Sequence, residues 1–377
     1  MPGYRRALSL TAVVLCALAG VLVPRALAAS PPGWRVSTLF SGKPYADLLA
    51  MTATWPSNAW AFGDSAGPGS PPVALHWNGK TWTASRPFGN VDRPFYVSST
   101  GGNNVWVTGQ GCFNGASYVS RWNGSRWLTT KFPNAVNAPF CQAPVVTTGQ
   151  FNGWTFAKSL VDTQARHFNG KTWPIVTIGK FGAVMAASAV SARDIWLLTE
   201  TASTTMLVVH YNGRTWSGVR LPAPSVPKGE KPYAVNIDAV SGTNIWATAQ
   251  LITGHGAVSG GPETSLLLHW DGRTWRWIKV PFDDIAQYVA YDAGSVWVGA
   301  QTIAVNGTGW DFLHWSPGNH WTRVPVPAQG IPGDSAGYVL YSLVHIPHTH
   351  SFWATADASY AVGLTARQSA VIFKYGP

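Results

Sequence analysis

The phrase LHWDGRTW at residues 268–275 recurs along the chain with small changes: LHWNGKTW (75–82), SRWNGSRW (120–127), RHFNGKTW (166–173), VHYNGRTW (209–216) and the looser LHWSPGNHW (313–321). An Asn-Gly or Asp-Gly pair flanked by aromatic and β-branched residues is the strongest short-range signal of a β-hairpin. A two-residue type I′ turn at Asn78-Gly79 sets Trp77 opposite Lys80, His76 opposite Thr81 and Leu75 opposite Trp82. Each copy therefore contributes two strands with large side chains on both faces. With 21 Trp and only 11% charged residues, the chain must bury wide flat surfaces, and disorder is excluded.

A second element precedes each hairpin, a strand with one Trp just after a turn: NAWAFGD, NVWVTGQ, GWTFAKS, DIWLLTE, NIWATAQ, SVWVGAQ and SFWATAD, carrying Trp60, Trp106, Trp154, Trp196, Trp246, Trp297 and Trp353. An apolar stretch such as YADLLAMTA or YAVNIDAV precedes each of these. The unit is four short strands: an inner apolar strand, a Trp strand and the two hairpin strands. Six hairpins serve seven Trp strands, and the chain ends resolve the mismatch. AVIFKYGP at the C-terminus matches a third strand, and PPGWRVSTLF near the N-terminus matches a fourth, with Trp34 in the place of Trp82. A unit split between the termini makes sense in a closed ring and none in a linear array. Four-stranded units of about 40–50 residues in a ring make a β-propeller. The expected fold is thus all-β: a seven-bladed β-propeller of four-stranded antiparallel blades, its last blade closed by the N-terminal strand.

On these residues the chain resembles the tryptophan-rich propellers of secreted bacterial proteins, whose repeats read roughly DVWAVG…HWDGTTW. These carry loose galactose oxidase-like, sialidase-like or kelch-like labels. The resemblance covers residues 33–377 and implies the fold; it says little about activity. The hairpin also resembles the Asp-box of sialidases, but that motif separates Asp from Gly, whereas Asp271 and Gly272 are adjacent. No arginine triad with a sialidase signature, Cys–Tyr copper pattern or Ser–His–Asp signature accompanies it.

Ahead of the repeats, Arg5 and Arg6 precede an uncharged run from Ala7 to Val23 and an A-x-A site at 26–28. This reads as a signal peptide over residues 1–28, with the propeller at 29–377 and a secreted product that has no membrane span. Its removal takes away three arginines and no acid, lowering the formal charge from +10 to +7. That mild basic bias does not argue for nucleic acid. Cys112, in the second-to-third-strand loop of the second blade, and Cys141, in the connection into the third, are expected to form one disulfide.

Strand parity divides the remaining residues between two sides. Connections from second to third strand and from blade to blade fall on one side, called the top here; the other turns fall on the bottom. The repeat assigns structural places to all Trp but Trp55, Trp277 and Trp310. His76, His167, His210, His269 and His314 share one hairpin position with Arg121 and Lys374. A position that accepts His, Arg and Lys is one for packing rather than metal ligation.

Four residues after each second-strand Trp comes a polar residue: Asp64, Gln110, Lys158, Glu200, Gln250, Gln301 and Asp357. They read as a top-side collar, either capping strand ends or serving a ligand. No cofactor is expected, though the acids of this collar, Asp64, Glu200 and Asp357, could hold a structural divalent cation. Tyr45, Tyr233, Tyr288 and Tyr338 begin inner strands and could line the channel mouth. Trp310 and Asp311 are placed in a top loop, and Asp283, Asp284 and Asp334 also start top-side segments.

On the bottom, Lys80, Arg126, Lys171, Arg214 and Arg273 form a partial cationic ring, either lying over their paired aromatics or meeting an anionic polymer. HIPHTH (345–350) reads as an exposed turn without a carboxylate to complete a metal set. The function these features support is a secreted, monomeric, non-catalytic binding or scaffold protein. It would recognise an extracellular glycan, cell-surface polymer or protein ligand through top-face loops at 64–72, 251–264 and 304–310. The alternative is an extracellular carbohydrate-active enzyme of glycosidase or lyase type, with acids at the top channel mouth.

Overall fold

The structure, a computed structural model, describes residues 33–40, 47–65, 70–85, 89, 91, 93–109, 116–133, 143–157, 162–253, 265–304, 307–327, 329, 331, 334–362 and 365–377. Its strands form seven four-stranded antiparallel sheets, the blades of a β-propeller. The inner strands are Asp47–Trp55, Pro94–Gly101, Val145–Gly149, Ala183–Ser191, Glu230–Ser241, Asp284–Asp292 and Asp334–Ile346, for blades 1 to 7 in turn. The outer strand of blade 7 is Trp34–Phe40, which pairs with Thr365–Tyr375 so that Trp34 stands opposite Tyr375 and Phe40 opposite Ala370. The two chain ends thus share one sheet. Among the described residues no helix is long and apolar enough to cross a membrane.

The hairpins depart from the two-residue turn. Trp77 pairs with Trp82 and His76 with Thr83, so the loop has four residues, Asn78 to Thr81. The Asn78 side chain is the cause. Its Oδ1 accepts the backbone N–H groups of Lys80 and Thr81, both at 3.0 Å. Such an Asx loop needs one left-handed residue instead of two, and Gly79 supplies it at φ 95°. Asn123, Asn169, Asn212 and Asp271 do the same. The wider loop sets the two hairpin aromatics opposite each other, on one face of the blade.

That face meets the second-strand Trp of the preceding blade. Trp60 lies 5.5 Å from both Trp122 and Trp127 of blade 2. Trp106 meets Phe168 and Trp173 of blade 3, and Trp154 meets Tyr211 and Trp216 of blade 4. At the closure Trp297 meets Tyr375 and Trp34, and Trp353 meets Trp77 and Trp82. Within its own blade each Trp pairs in register with the variable hairpin residue. His76, His167, His210, His269 and His314 stack on it at centroid distances of 3.9 to 4.5 Å. Arg121 and Lys374 occupy the same place as cations over the ring. A flat imidazole, a guanidinium and an ammonium are all attracted to an indole face, so the position tolerates all three.

Six inner strands carry a β-bulge at the same register, at Leu49, Phe95, Met185, Val235, Gln287 and Tyr341. A bulge re-aims a side chain, and these six all line the central channel. The ring is therefore held by its faces, while its inner edge is shaped separately.

Trp34 is 8% exposed and stacked on Phe312 of blade 6 at 3.7 Å. Truncating a buried Trp to Ala costs about 3–5 kcal/mol. Trp34→Ala should lower the free energy of urea unfolding by that amount; an unchanged value would show that the closing strand is outside the cooperative fold.

Candidate functional site

The inner strands enclose a channel of about 660 Å³ that runs past all seven blades. Aliphatic and small side chains form most of its wall, which gives the polar and aromatic exceptions their weight. Tyr96 and Tyr288 project from neighbouring registers of blades 2 and 6, each opposite the residue two places after a second-strand Trp. Both line the channel and are half-buried, packed at the same time against the blade 2–3 and blade 6–7 cores. Burial, with the nearby Tyr233, pushes the Tyr96 phenol up to about 12. Burial and Tyr96 likewise raise Tyr288. Tyr233 is raised by burial and by the carboxylate of Glu200, and Glu200 itself is raised by burial. Tyr96 of blade 2 and Tyr288 of blade 6 thus line the channel, and Tyr233 of blade 5 and Glu200 of blade 4, which are not in its wall, lie close enough for Tyr233 to raise Tyr96 and for Glu200 to raise Tyr233.

Of the expected tyrosines, Tyr233 and Tyr288 belong to this group, while Tyr45 lies outside the described residues. Tyr338 does not line the channel. It packs between blades 6 and 7, its ring 5.8 Å from Phe373, and its hydroxyl donates to the Pro327 carbonyl. Tyr96 was missed because it lies one residue past the bulge at Phe95, which the sequence does not announce. Trp310 and Asp311 are not in a loop: the third strand of blade 6 is long, Gly307–Ser316, and includes both. Trp310 is buried beside Tyr288.

The acids are largely spoken for. Asp64, Glu200 and Asp357 hold equivalent positions on their second strands, yet they are 0%, 8% and 2% exposed. Asp64 stands opposite Asp47 and 3.8 Å from the Arg93 guanidinium. Asp357 hydrogen-bonds with Asp47 and with Tyr341, and burial together with the Asp47 charge raises it well above the usual carboxylate range. Asp357 of blade 7 is thus a carboxyl group that burial beside Asp47 of blade 1 favours in its protonated form. Glu200 lies in blade 4, away from that group. Asp284 and Asp311 share Arg323, at 2.6 and 3.4 Å, and both are raised by burial despite it. Among the described residues no group of three or more His, Cys, Asp or Glu could hold a metal ion. Gln110, Lys158, Cys112 and Cys141 lie outside the described residues, as do 66–69, 254–264 and 305–306.

On the bottom, HIPHTH ends in a turn whose His350 is exposed, and it has a carboxylate neighbour from another blade without forming a metal-capable group among the described residues. Asp292 of blade 6 bonds His350 at 2.6 Å and His345 at 3.3 Å. Neighbouring blades supply partners that no linear spacing displays. Lys80 makes no cation–ring contact with Trp77 among the described residues; that indole donates instead to the Pro56 carbonyl.

Asp238, in the inner strand of blade 5, is a further lumen carboxyl. Its Oδ2 accepts the Tyr291 backbone N–H at 3.1 Å, clasping blade 5 to blade 6, as Ser188 clasps Ala239 and Ser98 clasps Thr147. Burial raises it to about 6, against the opposing effect of the Tyr291 bond.

The sequence matches no protein-family model and no curated protein. Solved structures of similar fold include YCF48 from Cyanidioschyzon merolae, at 15% identity and a TM-score of 0.57, covering 91% of this chain and 98% of that one. A xyloglucanase from Xanthomonas campestris shows 13% identity and a TM-score of 0.57. The match covers 90% of this chain and 55% of the enzyme, so this chain spans about half its length. An ulvan lyase of a polysaccharide lyase family, bound to a glucuronate–rhamnose sulfate repeat, shows 11% identity and a TM-score of 0.53, over 89% and 95%. At these identities the likeness establishes the propeller fold.

An acid raised in the folded state favours folding below its unfolded value and loses that contribution as pH climbs through about 6. Asp238→Asn keeps an acceptor for Tyr291 and removes the charge. It should stabilise the protein at pH 7.5 by up to about 3 kcal/mol and leave stability at pH 4 nearly unchanged. Paired thermal melts at the two pH values check this; destabilisation at pH 7.5 would contradict it.

Proposed function

We propose that this chain is a secreted, non-catalytic glycan-binding propeller that takes a sugar at the top of its channel. The observation that carries the reading is the placement of Tyr96 and Tyr288 in the channel wall, with Tyr233 and Glu200 near enough to perturb this group. Phenol rings offer flat faces to the C–H faces of a pyranose, and their hydroxyls with one carboxyl group offer hydrogen bonds to its rim. A rigid lumen binds without paying for loop ordering. The N-terminal stretch from Arg5 to Ala28 supports export. Two proteins of similar fold, the xyloglucanase and the ulvan lyase, are polysaccharide-active by name. The reading requires no cofactor.

One observation favours the second reading, a carbohydrate-active enzyme: burial and the neighbouring Asp47 charge raise Asp357 to about 8, so that it keeps a proton near neutrality as a general acid must. Its weakness is access, since Asp357 and Asp64 are buried.

A glycan array with the mature protein separates the two. Saturable binding without product, weakened at least tenfold by Tyr233→Ala, is the expected result. Product formation abolished by Asp357→Asn would establish the enzyme instead. Selective capture of peptides in place of glycans would redirect the site to a protein ligand.

A further inference from the structure

Six of the seven blade junctions place the second-strand Trp against the fourth-strand Trp of the following blade, in ring contacts with Trp127, Trp173, Trp216, Trp275, Trp34 and Trp82. The junction between blades 5 and 6 breaks the rule. Of the two hairpin aromatics Trp246 meets the third-strand Trp315, at 5.2 Å, and it stacks with Tyr291 of the inner strand at 6.1 Å, while Trp321 turns to Phe282. The hairpin of blade 6 explains the change. It has one residue more than the others and reverses through Pro317, Gly318 and Asn319. Asn319 Oδ1 accepts both indole N–H groups, at 3.2 Å each. A cleft of about 750 Å³ opens there, on the hairpin side of the disc, lined by none of Tyr96, Tyr233 and Tyr288. Its size lies within the usual range for small-molecule sites, about 300–1,000 Å³.

The chemistry of the cleft is lopsided. Asn244 Oδ1 is used twice, accepting from Trp246 Nε1 at 2.8 Å and from His269 Nε2 at 3.0 Å. His269 Nδ1 accepts from Arg276 at 3.2 Å. Burial and Arg276 lower the His269 pKa to about 4, so the ring is neutral and can accept. Both Asp271 oxygens are taken by its own hairpin loop. The acceptors that face the cleft are thus largely engaged, with one lone pair of the exposed Asp271 left over, and the donors remain: the Asn244 amide, the other N–H groups of Arg276 and the Lys279 ammonium. Neither cation has a carboxylate partner among the described residues. The repeat does not call for Arg276. The residues opposite the hairpin His in blades 1, 4 and 6 are Thr83, Ser217 and Thr322.

We propose that the junction of blades 5 and 6 is a second ligand site, for an acidic saccharide whose carboxylate or sulfate is held by Arg276. A guanidinium fixed by His269 presents its remaining donors as a planar fork, the geometry that suits such anions. Tyr291 and Trp277, both partly exposed at the cleft over the buried Trp246 and Trp315, supply the flat apolar surface that a pyranose ring needs. This assignment stands apart from the lumen reading, because Arg276, His269 and Lys279 are not in the channel wall and Tyr96, Tyr233 and Tyr288 are not in the cleft; Tyr291 alone touches both spaces.

Calorimetric titration of the mature protein tests it with four probes: tri-galacturonate, a chondroitin sulfate disaccharide, neutral xylotriose and a tri-glutamate peptide. The expected result is saturable binding of at least one of the two acidic saccharides, weakening as salt rises, with a change in tryptophan fluorescence. Arg276→Ala and Arg276→Gln should each weaken it at least tenfold with an unchanged melting temperature, Arg276→Lys should retain part, and Tyr233→Ala should leave it intact. Failure of both acidic saccharides to bind would overturn the proposal. So would wild-type affinity in Arg276→Gln, or equal binding of xylotriose. Stronger binding of tri-glutamate would assign the cleft to acidic peptides instead.

Discussion

A second-strand tryptophan lies between a hairpin His, Arg or Lys of its own blade and the hairpin aromatics of the next, and the rest of the structure depends on that sandwich. One blade alone would leave both of its faces bare. Each blade needs a neighbour on either side, and the requirement is met everywhere only when the last blade meets the first. Aromatic pairs contribute about 0.5–1.5 kcal/mol each beyond the area they bury, and here they recur at every junction. Trp34 completes the pattern from the far end of the chain, which is why the closing blade draws on both termini.

Because the faces carry the cohesion, the inner edges are free to vary. Bulges at one shared register turn Leu49, Phe95, Met185, Val235, Gln287 and Tyr341 inward, and side-chain clasps such as Asp238 to Tyr291 link adjacent inner strands. The acids at the top of the disc mostly serve the same cohesion. Asp284 with Arg323, and Asp47 with Asp357, join elements that the backbone ladders do not. What remains for recognition is aromatic and donor-rich: the phenols of the lumen and the guanidinium of Arg276.

The fold was legible in the sequence because the repeat states it many times over, and the split unit at Trp34 and Val371–Tyr375 states the closure. The hairpin register was not, because Asn78 can either sit inside a type I′ turn or cap a wider loop. The choice between them depends on which face the paired Trp must present to a neighbouring blade. The candidate site was legible in half. Tyr233 and Tyr288 follow from their places near the start of inner strands. Tyr96 depends on a bulge, Tyr338 is drawn into the blade 6–7 core, and Asp292 reaches its histidines from a different blade. Linear spacing cannot express such contacts. The cleft at Arg276 had one faint signal, the extra residue in LHWSPGNHW, which looked like a blemish in the repeat.

Those exceptions carry the account's central claim: the repeat builds the ring, and binding belongs to the places where the chain departs from it. A crystal structure of the protein soaked with both a neutral and an acidic oligosaccharide tests this most directly. The account predicts the neutral sugar at the top of the channel against Tyr96, Tyr233 and Tyr288, and the acidic one at the blade 5–6 junction against Arg276. Ligand at several equivalent blade junctions with similar occupancy would contradict it, since the repeat itself would then be the binding unit.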